Sequence, residues 1–545
     1  MHIPLRLWIT LALTTLGGCG QQSGPDEQAQ GLQASSGQVA VKQGASVSRY
    51  AATRFAEQAT FGPTPELIAE VEKKGFSQWI DDQFALPASK FNTAPIRVYN
   101  SEIPAEGQVA WDYMISQIYP TLIGSADQLR RRVSWSISQF VPTSSNKLTP
   151  YPAMVYANFL QDQAFGNYGD FIRALTTNPP MGLYLDNIQN RPLSPQCIGC
   201  APNENYAREL MQLFTLGVVK LNPDGTTVRD SKGAPVETYS QEDVSQLARA
   251  LTGWSMAAPP SRWDWSNRDG VLTPDTWDQA HDVGEKVVLG TTFPSGKDAA
   301  TELETIVTML MGHQNIAPFV SLRMIQHLVT SNPSPAYIGR IAAVFRNNGR
   351  GVAGDMKAVV KAILLDPEAR KGDQIGADSA SFGKLREPVL WFTSVLRGLG
   401  CTQAPKWDNS KDYAQPYQQT PYNPSSVFSF YAPTDRAPGS NLLAPEQKLI
   451  NADTLASRMG GFNLGSAAAA AAAGCKIDPF GEALAASPLL YVNLVNERFF
   501  RGAMAPTLRQ NLMDLAPTIW GENNNMKAIN LLSYALSSPY YGVMR

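Results

Sequence analysis

Histidine is scarce in this chain, with four in 545 residues, and they show no HExxH and no paired metal-ligand spacing. A GxSxG elbow, a phosphate loop and a GxGxxG turn in a strand-to-helix setting are also missing. Serine hydrolase, nucleoside triphosphatase and dinucleotide-binding readings fall away with them. Excess charge is lacking too: the formal net charge is −2. A nucleic-acid partner would require a basic surface, so nucleic acid is excluded as the main partner. Beyond the first residues no run of about eighteen apolar residues occurs, so no membrane-crossing helix is expected there. No repeat of fixed period suggests a solenoid. An apolar content of 43% is ordinary for a folded globular body.

What is present begins at the start of the chain. Arg6 supplies a positive charge, and Leu7 to Leu16 form an apolar core of signal-peptide length. Leu16-Gly17-Gly18-Cys19 then resembles a lipobox, in which small residues admit a peptidase and the Cys19 thiol accepts diacylglycerol. Acyl chains contribute about 0.8 kcal/mol per buried methylene, enough to hold a multiply acylated protein on its membrane. The expectation is an exported lipoprotein anchored through Cys19. Gly20 stands where enteric inner-membrane lipoproteins carry an aspartate, which favours the outer membrane and leaves its face open. Residues 1–18 read as the signal and 19–46 as a tether rich in Gln, Ser, Gly and Ala, too poor in apolar bulk to offset ordering entropy. Residues 47–545 are the body, long enough for one large core or two abutting subdomains with a break near 400–445.

Besides Cys19 the chain has Cys197, Cys200, Cys401 and Cys475. An even number in an oxidising compartment suggests one or two disulfides among three possible pairings. A Cys197–Cys200 bridge within its Pro-rich loop is the preferred reading, over a redox pair or a zinc site.

Helical punctuation dominates the body. Thr64-Pro65-Glu66 is a cap, a helix-initiating proline and a first-turn acid, followed by Leu67, Ile68 and Val71 before Gly75. Similar patterns predict helices over 126–141, with Arg130, Arg131 and Arg132 beside the apolar face, and over 153–164, 168–176, 206–216, 241–252, 299–311, 316–330, 335–347, 356–365, 384–399, 445–459, 505–516 and 525–537. Thr226–Arg229 with Val236–Tyr239 would form one hairpin, and Lys286–Leu289 a further short strand. The class is mostly α, a large multi-helix body with at most one or two short β-hairpins and long loops around 178–204, 255–298 and 401–445. The alanine run between Gly465 and Gly474 reads as a surface insertion.

Ordered stretches of the body resemble the bacterial family known as domain of unknown function 1800. They include Arg54-Phe55-Ala56-Glu57-Gln58-Ala59-Thr60-Phe61-Gly62-Pro63-Thr64 and Ala164-Phe165-Gly166-Asn167-Tyr168. Glu204-Asn205-Tyr206-Ala207-Arg208-Glu209-Leu210, Ala248-Arg249-Ala250-Leu251-Thr252-Gly253-Trp254 and Pro424-Ser425-Ser426-Val427-Phe428-Ser429-Phe430-Tyr431 follow. Ser429 stands where the family motif carries asparagine. The resemblance spans about residues 50–545 and implies a secreted, mostly helical protein of no established activity. It also implies a partner, because genes of this family neighbour those of secreted proteins resembling the sulfatase and alkaline-phosphatase superfamily.

Candidate chemistry concentrates around 205–282. On a helix, Asn205, Arg208, Glu209 and Gln212 share a face. Glu209 would serve as general base or cation ligand and Arg208 would hold an anion, or the set is an ion-pair network pinning helices to loops. His281-Asp282, followed by Lys286, would supply acid–base or metal chemistry. Arg249 either joins this site or packs the end of its helix. Trp254 either closes that helix or lines a sugar-binding cleft, near Trp263, Trp265 and Trp277. No cofactor is indicated. Two functions remain open: a lipid-anchored scaffold or maturation factor for a secreted partner, and an envelope hydrolase acting on polysaccharide or another anionic polymer through Glu209, His281, Asp282 and Arg208.

Overall fold

Local sequence rules set most of the helices. In the computed structural model, which describes residues 47–98, 104–193, 201–256, 269–275, 280–377, 381–403, 418–461 and 472–545, Thr64 Oγ1 accepts the Leu67 N–H at 3.1 Å. The helix Pro65–Lys74 runs from there to Gly75 at φ 76° and buries Leu67, Ile68 and Val71, as the spacing predicts. Tyr168–Thr176 and Met356–Leu365 occupy their expected bounds, with Asn167 and Asp355 as caps. The protein is mostly α.

Proline and hydrogen-bond period account for the departures. The segment expected as one helix over 384–399 is a short strand, Lys384–Leu385, and then a helix, Pro388–Gly398. Pro388 disfavours helical backbone before it, and Glu387 is extended at φ −61°, ψ 154°. The helix Asn205–Glu209 passes into a π-turn over Leu210–Thr215, where Leu216 N–H reaches Met211 C=O at 2.9 Å. Pro445–Leu449 is a 3-10 turn preceding a helix at Ala452–Gly461. Helices at Pro104–Gly124, Asp478–Ala486 and Pro488–Phe499 were not expected, the first because Pro120 interrupts its pattern.

Three two-stranded antiparallel pairings are present among the described residues: β1 (Trp254–Ser255) with β2 (Thr273–Pro274), β3 (Lys286–Val288) with β4 (Thr291–Phe293), and β5 (Lys384–Leu385) with β6 (Val543–Met544). The turn at 230–233 brings Arg229 opposite Pro235, and Asp230 Oδ1 accepts the N–H groups of Lys232 and Ala234 at 2.8 and 2.9 Å.

Residues 46–545 form one unit with two apolar clusters. The first gathers helices Arg49–Ala59, Ile316–Leu328, Pro335–Arg346 and Met356–Leu365. The second joins the helix Pro104–Gly124 to Pro388–Gly398, Pro488–Phe499 and Asn524–Ser537, so both ends of the body contribute to it. The helix Gln128–Phe140 feeds both clusters, through Val133 and Trp135 respectively. A disulfide joins Cys401 to Cys475 across 74 positions; Cys19, Cys197 and Cys200 lie outside the described residues, as does most of the alanine run. Among the described residues no helix is long and apolar enough to cross a membrane.

Candidate functional site

The helix Gln241–Ala250 starts with a complete capping box. Ser240 Oγ accepts the Asp243 N–H at 3.1 Å, and Asp243 Oδ2 accepts the Ser240 N–H at 2.8 Å. Asp243 Oδ1 also accepts the Leu289 N–H at 2.7 Å, which pins the β3–β4 turn to the helix start. At the other end the chain turns at Gly253, φ 88°. A Cβ on Gly253 would sit 2.8 Å from His281 Cβ, so glycine lets the two segments press together.

That contact assembles a charged knot. Arg249 grips Asp282 through two bonds, Nε to Oδ2 at 2.7 Å and Nη2 to Oδ1 at 3.1 Å. Thr252 Oγ1 accepts the Asp282 N–H at 2.9 Å, and His281 Nδ1 donates to Thr252 C=O at 2.9 Å. Beneath them Lys286 Nζ donates to Glu302 Oε1 at 2.7 Å, with both side chains about fully enclosed at 0% and 1% exposure. Lys286 also donates to the carbonyls of Asp282 and Gly284. His281 Nε2 lies 3.4 Å from Glu302 Oε2, a charge pair when the ring is protonated. Burial of Asp282 opposes ionisation, but the bonds from Arg249 and the Gly284 N–H outweigh it and hold the carboxyl below its ordinary pKa. Arg249, His281, Asp282 and Lys286 therefore converge, and Glu302 is the member the sequence did not reveal.

Asn205, Arg208 and Glu209 make a second arrangement. Arg208 Nη2 donates to Glu204 Oε2 at 2.8 Å and to Gln241 Oε1 at 3.0 Å, closing a surface triad with the Gln241 amide. Asn205 Nδ2 donates to Asp186 Oδ2 at 3.3 Å, and Lys147 grips the other Asp186 oxygen at 2.7 Å. Glu209 points inward instead. It is buried, its Oε2 has no partner among the described residues, and burial raises its carboxyl pKa against the pull of Arg208. The Asn187 amide and the Tyr239 hydroxyl are likewise buried without partners among those residues. No hydrogen bond or ion pair joins Glu209 to Arg249 or His281 among the described residues. Trp254 is packed into the first apolar cluster, 4% exposed; Trp263, Trp265 and Trp277 lie outside the described residues.

Sequence reasoning missed the larger group of buried charges. Arg131 and Arg132, expected beside the apolar face, are both fully enclosed. Arg132 donates to His327 C=O at 2.6 Å, and Lys384 Nζ reaches the same carbonyl at 3.1 Å while pairing with Glu446 at 3.0 Å. Glu387 accepts from Trp135 Nε1, Gln419 Nε2 and Tyr431 Oη at 2.9, 2.7 and 3.0 Å. Charged residues are almost never fully buried unless paired, so their types alone pointed to solvent. Among the described residues no cluster of three His, Cys, Asp or Glu side chains could hold a metal ion.

Compared with known proteins, residues 54–543 match the model of the family described as "Protein of unknown function (DUF1800)". No curated protein and no solved structure matches. The match takes in the capping box, the charged knot and the buried cluster alike, and the chain belongs to the DUF1800 family.

Proposed function

We propose that this protein is an exported, lipid-anchored component of the cell envelope whose helical body acts as a scaffold or maturation partner for another secreted protein. The observation that carries the reading is how the polar residues at 249–302 are used. Arg249 and Asp282 hold each other in a two-bond pair, and Lys286 pairs with Glu302 Oε1 in full burial. Ion pairs of this kind hold a loop to a helix, which supports a structural role for these groups. The lipobox-like Leu16-Gly17-Gly18-Cys19 supports the anchor, and the gene neighbourhood that the family resemblance implies points to a sulfatase- or phosphatase-like secreted partner. The outer membrane is the favoured location, since Gly20 replaces the retention aspartate.

The test is crosslinking in intact cells followed by membrane fractionation. Wild type partitions with membranes and captures the secreted partner, and Cys19→Ala moves the body to the soluble fraction. A Cys19→Ala protein that remains membrane-bound, or a wild type that captures no exported protein, overturns the reading. The second reading, an envelope hydrolase acting on polysaccharide or another anionic polymer, draws on Glu209, whose raised pKa and unpartnered oxygen suit a general acid. Polymer cleavage by purified protein that is abolished in Glu209→Gln would establish it in place of the scaffold.

A further inference from the structure

Glu209 stands beside two ion pairs and belongs to neither. Glu204 takes the Arg208 guanidinium at 2.8 Å, and Asp186 takes the Lys147 ammonium at 2.7 Å. Three carboxylates thus share two cations, and the charge left over is that of Glu209. A buried charge without a counter-ion is among the costliest features a fold can carry.

Unsatisfied polar groups gather around it. Glu209 is 8% exposed and Asn187 1%. Glu209 Oε2, both ends of the Asn187 amide and the Tyr239 hydroxyl are enclosed without a partner among the described residues. Native interiors leave few such atoms, and each calls for an explanation. The groups come from neighbouring segments. Asp186, next to Asn187, is bonded by Asn205, which lies one helical turn before Glu209. Burial, and behind it the Glu209 charge, raises the Tyr184 hydroxyl to about 12. Burial also raises Tyr239 to about 12, with Arg208 and Glu209 pulling in opposite directions. The backbone on either side of Asn187 is left-handed at non-glycine residues, Asp186 at φ 59° and Gln189 at φ 55°, a conformation that costs energy.

We propose that Glu209 is the receptor for a primary ammonium group carried on a short apolar stem. An ammonium has three donors and no acceptor. The Glu209 carboxylate, the Asn187 carbonyl oxygen and the Tyr239 hydroxyl are three acceptors that the fold leaves free. The phenol rings of Tyr184 and Tyr239 offer a cation their electron-rich faces. The group is about the size of a water molecule, so it needs no large chamber. An anion would be repelled by the uncompensated carboxylate, and an alcohol would leave its charge unbalanced. A metal ion would want several charged ligands, and no cluster of three His, Cys, Asp or Glu side chains is present among the described residues. The inference does not rest on the scaffold reading, which draws on the 249–302 knot. It opposes the hydrolase reading, in which Glu209 must hold a proton that an ammonium would displace.

Titration calorimetry on the purified full chain tests it, with butylamine as probe and butanol and potassium as comparisons. Wild type binds butylamine saturably at one site and more tightly than either comparison. Binding strengthens as pH rises through the raised pKa of Glu209, because only the ionised carboxyl pairs with the cation. Glu209→Gln weakens butylamine at least about tenfold. Without ligand its thermal midpoint equals or exceeds that of wild type, since an unpaired buried charge has gone. Tyr239→Phe keeps the ring, drops the unpartnered hydroxyl and weakens butylamine several-fold. Lysine blocked at both its amino and carboxyl ends is the second probe. Tighter binding of blocked lysine than of butylamine assigns the site to a partner's lysine side chain, and the reverse assigns it to a free amine. Absence of saturable binding of either amine, butanol bound as tightly as butylamine, binding indifferent to Glu209→Gln, or a Glu209→Gln protein markedly less stable than wild type overturns the proposal.

Discussion

At the scale of single residues, the knot around Lys286 makes a sharp demand. Its ammonium is enclosed at 0% exposure and is neutralised by Glu302 at 2.7 Å. Removing one member of such a pair strands the other in a medium of low polarity, which costs about 3–5 kcal/mol. Glu302→Gln keeps the shape but loses the charge, and it is expected to lower the thermal midpoint by that equivalent. The double change Lys286→Met with Glu302→Leu should recover most of the loss, because two apolar side chains need no partner. A midpoint unmoved by Glu302→Gln would show that the pair contributes nothing. His281 and Asp282 were legible in the sequence because histidine is rare and the pair sits in a polar loop. Glu302 was not, because a glutamate in the first turn after the Asp298 cap looks like ordinary helix chemistry. The inward turn of Glu209 was equally hidden: it is next to Arg208 in sequence, yet the two side chains serve different surroundings.

At the scale of elements, capped and strongly periodic helices were readable and interrupted ones were not. The helix Pro104–Gly124 carries Pro120, and the 384–399 segment is divided before Pro388; in both, proline obscured which continuous stretch pays off in packing. The pairing of β5 with β6 joins residues about 160 positions apart, beyond any local signal. The disulfide was likewise undetermined, since spacing does not choose among pairings. Cys401 and Cys475 tie the end of the helix Pro388–Gly398 to the segment before Asp478–Ala486, where Thr402 N–H also donates to Ala473 C=O at 2.9 Å. Closing a loop of 74 residues removes chain entropy worth about 4 kcal/mol. Cys401→Ser with Cys475→Ser is expected to lower stability by up to that amount, and dithiothreitol should reproduce the loss in wild type. If denaturant midpoints of oxidised and reduced protein coincide, the cross-link does not stabilise the folded body.

At the scale of the whole molecule, the two apolar clusters are bolted together by a buried charge. Glu57, in the helix Arg49–Ala59 of the first cluster, accepts from Arg386 Nη2 at 3.1 Å and from Arg501 Nη1 at 2.8 Å. Arg501 follows the helix Pro488–Phe499 of the second cluster, and the Arg386 guanidinium stands over Tyr541 at 4.4 Å. Burial opposes ionisation of Glu57, yet the two guanidinium groups outweigh it and keep its pKa below the ordinary value. A carboxyl depressed on folding lends stability that is complete above its unfolded pKa of about 4.3, and that is lost as pH falls through the folded value. Glu57→Gln should therefore be destabilised by about 3–5 kcal/mol at neutral pH, and the gap to wild type should close progressively in acid. Because the bolt spans both clusters, amide exchange should accelerate in Arg49–Ala59 and Pro488–Phe499 together. Acceleration confined to one helix, or a stability gap that widens on acidification, would show that Glu57 does not couple the clusters. Coupling between the clusters would then rest on the helix Gln128–Phe140, which packs into both.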